Sequence, residues 1–487
     1  MKLSKVIFYE EIVDSNFTSD IEISGIVSDS RKAYEGCVFV AINGETRNGN
    51  NYINEAAKKG ATVIITEENI VNEDVFFIKV SNIRSIYSKM CSRYYDAKTN
   101  NMKVIAITGT NGKTTTAHYI YNILCEAGEK CGLISTTETI ILNEIIDLGG
   151  GSEVQDKFSA MTTPDPAIIY NLINKMKEKG VKYLIIEASS HAIKQGRLDG
   201  IENIDYAVFT NLSKEHLDYH KTMEDYFKTK ELLIKRAKNG VINGEDYYGK
   251  ILTLKHEHMS SVSFDKKNPC NVEIICEDEN GAQFVVFLEN KQIKLFTKLL
   301  GVHNVLNASL AALVANDLKM AERAIIDGIK KTEVKGRMEK VFENIYIDYA
   351  HTPLATEKTL STVKNIAKDK KIVAIFGCGG DRDKSKRKEI GKIVSKYADI
   401  AIVTSDNPRN EEPLEIIKDI IIGIDRNKAH IVIPNRKDAI LYAVKNLINE
   451  STILVLLGKG HEKYQIDATG KHYFDEIEII KEGLTNV

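Results

Sequence analysis

A lysine and three threonines following two closely spaced glycines, in the order Gly109, Thr110, Asn111, Gly112, Lys113, Thr114, Thr115, Thr116, are the residues of this chain best suited to hold a polyphosphate. Backbone N–H groups of such a loop turn inward on an anion. Lys113 reaches for the β- and γ-phosphates, and the Thr114 hydroxyl is offered to Mg²⁺. The usual spacing would place glycine at position 107, where this chain has Ile107, so the loop is the shorter G-T-N-G-K-T form. The elements needed to position it lie on both sides. Val104 to Ile107 is apolar and partly β-branched, as expected of a buried parallel strand. Thr114 to Thr116 open a helix whose dipole adds to the pull on an anion. Ile120, Ile123, Leu124 and Ala127 line its apolar face, and Gly128 ends it. The plain alternative, a glycine-rich turn with a solvated lysine, explains neither flank.

At 487 residues the chain is long for one domain, and a prior of roughly 150 residues per domain gives about three. Hydrophobic residues at 43% and charged residues at 28% fit a soluble globular protein with filled cores. A net charge of −2 gives no electrostatic case for nucleic acid or an anionic membrane. The seven cysteines form neither C-x-x-C pairs nor metal-ligand spacing, so reduced, mostly buried thiols in a cytosolic compartment are expected. No apolar run of about 18 residues occurs, and the start turns acidic too early for a signal peptide. A cytoplasmic monomer is the expectation.

Residues 1–100 alternate short apolar strands with helical patterns and read as a small α/β domain. Two polar loops, SDSR (28–31) and NGETRNGN (43–50), fall at strand ends, where such folds bind ligands; ordinary turn chemistry is the competing reading. Residues 101–333 carry the phosphate loop, a strand YLIIE (183–187), a strand AVFTN (207–211), a helix beginning near Thr222 and a β-rich stretch at 260–300. Glu187 ends its strand where a direct or second-sphere Mg²⁺ ligand belongs. His216, Asp218 and His220 alternate in what reads as an irregular loop, with Lys230 on the helix beyond. Zinc is rejected there, because no third histidine or cysteine stands at ligand spacing and oxygen-preferring Mg²⁺ is already implied. Residues 334–487 give a third, Rossmann-like α/β domain. Its strands end in the polar clusters YAHTP, GCGGDRDKSKR, SDNPRNEEP and GKGHEKYQ, which should share one rim of a parallel sheet.

These strings, with TTPDP (162–166), EASSHAIKQGR (187–197), FTNLSKEHLDYH (209–220), GVHNVLNASLAA (301–312) and KGRME (335–339), appear in the order seen in the Mur ligases of peptidoglycan synthesis, and the chain resembles that family over nearly its whole length. The resemblance implies three α/β domains, a central ATPase domain with a P-loop-type parallel sheet lying between a UDP-sugar-binding domain and an amino-acid-binding domain. It implies ATP-dependent amide-bond formation through an acyl phosphate, with meso-diaminopimelate added to UDP-N-acetylmuramoyl-L-alanyl-D-glutamate. Residue by residue, it assigns the triphosphate to Gly109 through Thr115, and the rest of the nucleotide to Asn304, Asn307, Arg337 and Asp348. Magnesium falls to Thr114, Glu187, His216 and a carbamylated Lys230. The nucleotide sugar falls to Ser28, Ser30, Glu45, Thr46 and Arg47, and its peptide to Thr162, Thr163, Ser189, Gln195 and Arg197. The incoming amino acid falls to Arg387, Asp406, Asn407, Pro408, Arg409, Gly458 and Glu462. An arginine fork suits the distal carboxylate of diaminopimelate, which L-lysine lacks.

Cys37, Asn48 and Met161 depart from the family pattern, and residues 144–160 lack its glycine-rich turn. All lie on the nucleotide-sugar side. Two other readings stay open on the sequence: a related amide ligase that adds L-lysine or takes another acyl donor, and a non-catalytic nucleotide-binding partner protein. Lys113, Glu187, His216 and Lys230 together argue against the second.

Overall fold

The computed structural model describes residues 1–16, 20–44, 47–69, 75–147, 161–289 and 291–485. The chain forms two compact units, one made of Met1–Gly109, Gly128–Phe209 and Lys228–Gly240, the other of Thr110–Ala127, Thr210–Phe227 and Val241–Val487.

The first unit begins with a five-stranded sheet in the order Asp14–Ser15, Phe76–Lys79, Val63–Thr66, Cys37–Val40, Gly25–Val27, parallel except at the first pair. Its strands are continuous apolar runs because helices and loops cover both faces. The helix Ile83–Tyr94 starts at Asn82, whose side chain accepts from the Ser85 N–H, and buries Ile83, Ile86, Tyr87, Met90 and Cys91 along one face. That face packs on the helix Pro166–Glu178, which opens with Asp165 as its cap and proline in its first turn. In the same unit, strands run in the order Ile204–Phe209, Lys103–Thr108, Tyr183–Glu187, Cys131–Ile134, Thr139–Ile141, Glu144–Ile145. The first four are parallel and the last two antiparallel. Glu187 pairs in register with Ile107, so the carboxylate stands beside the strand end that feeds the phosphate loop.

The second unit holds the loop helix Lys113–Glu126, packed between Val302–Asp317 and Glu322–Lys331. The approach is close: a Cβ on Gly328 would lie 2.5 Å from the Ile123 Cα. Val302–Asp317 is buried along nearly all its length, and its alanines (308, 311, 312 and 315) let neighbours come near. The β-rich stretch resolves into Met259–Ser263, Cys270–Asp278, Gly281–Leu288 and Lys291–Thr297. The C-terminal sheet has six strands, the edge strand Glu339–Phe342 antiparallel and the rest parallel in the order Ile345–Asp348, Thr452–Leu457, Lys371–Phe376, Ile400–Val403, Ala429–Val432. The polar clusters therefore do leave one rim. The segment after Phe209 differs from the expected irregular loop. Leu217–His220 is a single helical turn, entered through His216 in the left-handed region at φ 56°.

Candidate active site

In the second unit the phosphate loop is braced by residues 210–213. Thr110 and Asn111 donate their N–H groups to the Asn211 carbonyl and side-chain oxygen at 2.8 and 3.0 Å. The Asn111 carbonyl accepts from Thr210 and Asn211 at 2.6 and 2.9 Å. Gly112 sits at φ 83°, and a Cβ there would meet the Asn307 Oδ1 at 2.7 Å, so this position needs glycine for both space and backbone. Lys113 folds back to donate to the Thr110 carbonyl at 2.9 Å. Thr114 and Thr115 are buried in the first turn of the helix. Asn307 donates to Asn304, which donates to the Leu300 carbonyl, so the two amides form one chain ending at the loop. Nearby, Glu215 lies 3.2 Å from His351 and 3.7 Å from His216. Burial pushes its carboxyl up, but His351, His216 and Lys113 pull it to about 2. His216 is exposed, whereas His220 is fully buried and stacked on Tyr226 at 4.8 Å. The alternating residues therefore have different fates, and among the described residues no group of three or more His, Cys, Asp and Glu side chains is ready to hold a metal.

The first unit holds the remaining acid and lysine. Glu187 is 0% exposed and accepts from the Thr136 N–H at 2.8 Å and hydroxyl at 3.0 Å. Lys230, also buried, donates to the Gly109 carbonyl at 2.9 Å and lies 3.4 Å from the Thr108 hydroxyl. Thr163 donates to the Glu187 carbonyl and meets Ser189, while Arg197 donates to the Thr163 carbonyl and to Gln195. Thr163, Ser189, Gln195 and Arg197 are thus one polar cluster, with half-buried Thr162 beside it in sequence. Met161 belongs to the same cluster, its sulfur 3.1 Å from Arg197 Nη1. Ser28 donates to Asp165 at 3.4 Å, two residues beyond Thr163. Ser30 is turned instead to Glu55 at 3.1 Å, and Arg47 is exposed. Asn48 caps the short turn Gly49–Tyr52, and Cys37 is a core residue. Glu45 and Thr46 lie outside the described residues.

The C-terminal rim, in the second unit, is the most fully specified region. The Asp348 carboxylate accepts from the Met338 and Ala350 N–H groups and the Thr359 hydroxyl; burial raises its pKa, and Arg337 opposes the rise. Arg337 stacks over Tyr349 at 4.5 Å. Asn407 donates to Glu462 at 3.0 Å. Gly458, at φ 110°, presses so close to Asp406 that a Cβ would lie 2.8 Å from its carboxylate. Below the rim, buried Arg436 donates to the Ser405 and Leu457 carbonyls, at the tips of two strands, and to Glu476.

The Arg387 side chain is 1% exposed, bonded twice to Glu411 and once to Asp419, because its place in the first turn of Ser385–Tyr397 aims it at those acids. Sequence reasoning missed Arg382 in the loop before that helix. Arg409 donates to the Gly380 and Asn407 carbonyls and Arg382 to the Asp381 carbonyl, and among the described residues neither has a carboxylate within ion-pair distance. Arg382 keeps solvent-exposed surface, but the loop around it partly desolvates its guanidinium and lowers its pKa, and the adjacent Arg409 charge lowers it further. A cation crowded against another cation was the signal, and it needs three dimensions to be read. Lys459, passed over between two glycines, is the other omission.

Three family patterns match in succession: the Mur ligase family catalytic domain over residues 22–107, the Mur ligase middle domain over 107–315, and the Mur ligase glutamate ligase domain over 336–460. The chain is 37% identical over 483 residues to a UDP-N-acetylmuramoyl-L-alanyl-D-glutamate--2,6-diaminopimelate ligase of Clostridium perfringens, covering 96% of each. To the Aquifex aeolicus protein of that name it is 37% identical over 465 residues, covering 94% of this chain and 93% of the other. A solved structure of a ligase with the same name superposes with a TM-score of 0.66 at 28% identity, covering 95% of both chains. The MurF ligase of Thermotoga maritima in complex with ADP gives 0.64 at 18% identity, over 96% of this chain and 99% of that one, a likeness of fold alone.

Proposed function

Because the chain belongs to the Mur ligase family, we propose that it joins meso-diaminopimelate to UDP-N-acetylmuramoyl-L-alanyl-D-glutamate at the expense of ATP. A carboxylate of the donor attacks the γ-phosphorus, the bond to the bridging oxygen breaks, and ADP leaves with the electron pair. The free amine of diaminopimelate then attacks the acyl phosphate carbon. The tetrahedral intermediate collapses with loss of inorganic phosphate, and the amine surrenders its proton.

Phosphoryl transfer asks mainly for positioning and neutralised charge. Lys113 and the loop Gly109 through Thr115 supply both, the Thr110 and Asn111 N–H groups bracing the loop on Asn211, with Asn304, Asn307, Arg337 and Asp348 holding the rest of the nucleotide. Ser28, Ser30 and the 45–47 loop take the nucleotide sugar, and Thr162, Thr163, Ser189, Gln195 and Arg197 take its peptide. The buried Glu187 carboxylate suits an oxygen-preferring cation. Thr114, Glu187, His216 and Lys230, the last as a carbamate, would hold Mg²⁺, which when bound screens the triphosphate charge. We assign the donor to residues 1–100, ATP to 101–333 and the amino acid to 334–487, in a cytoplasmic protein; no described helix is long and apolar enough to cross a membrane.

The observation that carries the amino-acid assignment is the rim cluster. Asp406 and Glu462 offer acceptors for an ammonium, Asn407 holds Glu462 in place, and Arg409 and Arg382 offer guanidinium groups committed only to backbone carbonyls. A substrate with an ammonium and a carboxylate at its far end fits that pairing, and L-lysine leaves the arginines unanswered. The test is phosphate release from ATP in the presence of the UDP-muramoyl dipeptide and each candidate amino acid. Release should depend on diaminopimelate and be weak with L-lysine. Equal release with both would remove the assignment.

A further inference from the structure

Lys459 has no exposed side-chain surface, yet its ammonium is the hub of the rim cluster. It donates to the Asn407 Oδ1 at 2.9 Å and the Tyr464 carbonyl at 2.7 Å. It lies 3.7 Å from the Asp406 carboxylate and 3.9 Å from that of Glu462. The Tyr464 and Phe474 rings flank it at 5.9 and 5.6 Å. Asn407 passes the connection on, donating to Glu462 and accepting from the Ile466 N–H at 3.0 Å each. A buried lysine is costly unless paired, and burial does lower its pKa, with Asp406 acting against the drop.

Two carboxylates facing one recess repel each other, and an ammonium 3.7 and 3.9 Å from them offsets that repulsion and holds them together. Two negative charges and one positive leave a single net negative charge, which matches one substrate ammonium. Because Lys459 is buried, it reaches substrate only through Asp406, Asn407 and Glu462.

We propose that Lys459 is a positioning residue for amino-acid selection: it fixes Asp406, Asn407 and Glu462 in one arrangement and sets the charge of the recess that receives the distal ammonium of the substrate. The proposal rests on the amino-acid-adding reading above and deepens it. Among the described residues, the hydrogen bonds and ion pairs of Lys459 run to Asp406, Asn407, Glu462 and Tyr464, so its effects should fall mainly on the third substrate.

The test is steady-state kinetics of the intact enzyme with the K459M and K459Q variants. K459Q retains hydrogen-bond donors for Asn407 and the Tyr464 carbonyl but carries no charge. KM for meso-diaminopimelate should rise at least about tenfold in both variants, the scale for a charged partner lost from a hydrogen-bonded cluster, while KM for ATP and for the UDP-muramoyl dipeptide stay within about twofold. Preference for diaminopimelate over 2-aminopimelate, which lacks the distal ammonium, should collapse. An unchanged KM and an unchanged preference overturn the proposal. An insoluble K459Q, or one whose three KM values rise together, makes Lys459 a prop of the fold and overturns it as well. A wild-type enzyme that releases no phosphate with diaminopimelate instead refutes the functional reading on which the proposal stands.

Discussion

Arg387 grips Glu411 with two bonds, Nη2 to Oε1 at 2.8 Å and Nη1 to Oε2 at 3.0 Å. The Arg387 hydrogen bonds outweigh desolvation and hold the Glu411 carboxyl at about 2, against an ordinary 4.5. A carboxyl depressed on folding contributes stability that is whole above its unfolded pKa and is lost as pH falls through the folded value. E411Q should therefore lower stability by about 2 kcal/mol at neutral pH, less than the full loss of a buried pair because Asp419 remains. The gap between variant and wild type should close as pH drops from about 4.5 through about 2. Denaturant titrations across that range measure it, and a gap independent of pH would contradict the pairing. KM for the amino acid should change little.

Lys113→Ala should fold normally and release no phosphate from ATP. The lysine lies on the loop that Asn211 braces, and losing its charge from the transition state costs several kcal/mol, or about a thousandfold in rate. Circular dichroism with a phosphate assay decides the matter, since a folded, active variant would deny the loop its role.

Lys230→Ala should be inactive and partly recovered by small carboxylates such as acetate, which would replace the carbamate. The motivation is the buried Nζ at the Gly109 carbonyl. Mass spectrometry is a poor reporter here because carbamates fall off on acidification, so rescue kinetics are the measurement. Full activity without added carboxylate would end the idea.

Arg409→Ala and Arg382→Ala should each raise KM for meso-diaminopimelate and erode its preference over L-lysine, expected near 10²-fold in the parent. The double variant should fall well short of the sum of the two single effects, because the two cations share one anion. A variant that keeps the parental preference would point to a carboxylate site elsewhere.

The phosphate loop and the C-terminal rim were legible in the sequence because both follow from period and order. An apolar run, a glycine turn and a helix start fix the loop, and parallel strands with crossover helices deliver their ends to one edge. What sequence could not separate was direction. Arg382 and Arg387 share one string, but the start of Ser385–Tyr397 turns Arg387 to Asp419 and leaves Arg382 in the loop. His216 and His220 share one spacing, and the turn Leu217–His220 sends one to solvent and the other beneath Tyr226. Lys459 was not singled out of the string GKGHEKYQ, since burial of its ammonium depends on residues distant in sequence.

Arg436 also bears on how the rim would respond to inhibitors and to resistance. Its one guanidinium joins the Ser405 and Leu457 carbonyls, so the floor on which Asp406 and Gly458 stand cannot yield on one side alone. An amino-acid mimic would have to match that floor as it is, and affinity would be tuned from the Arg382 side, where the side chain is exposed. Substitutions that deform the floor enough to shed such a mimic would shed the natural substrate with it, which leaves the exposed loop as the route by which resistance could arise.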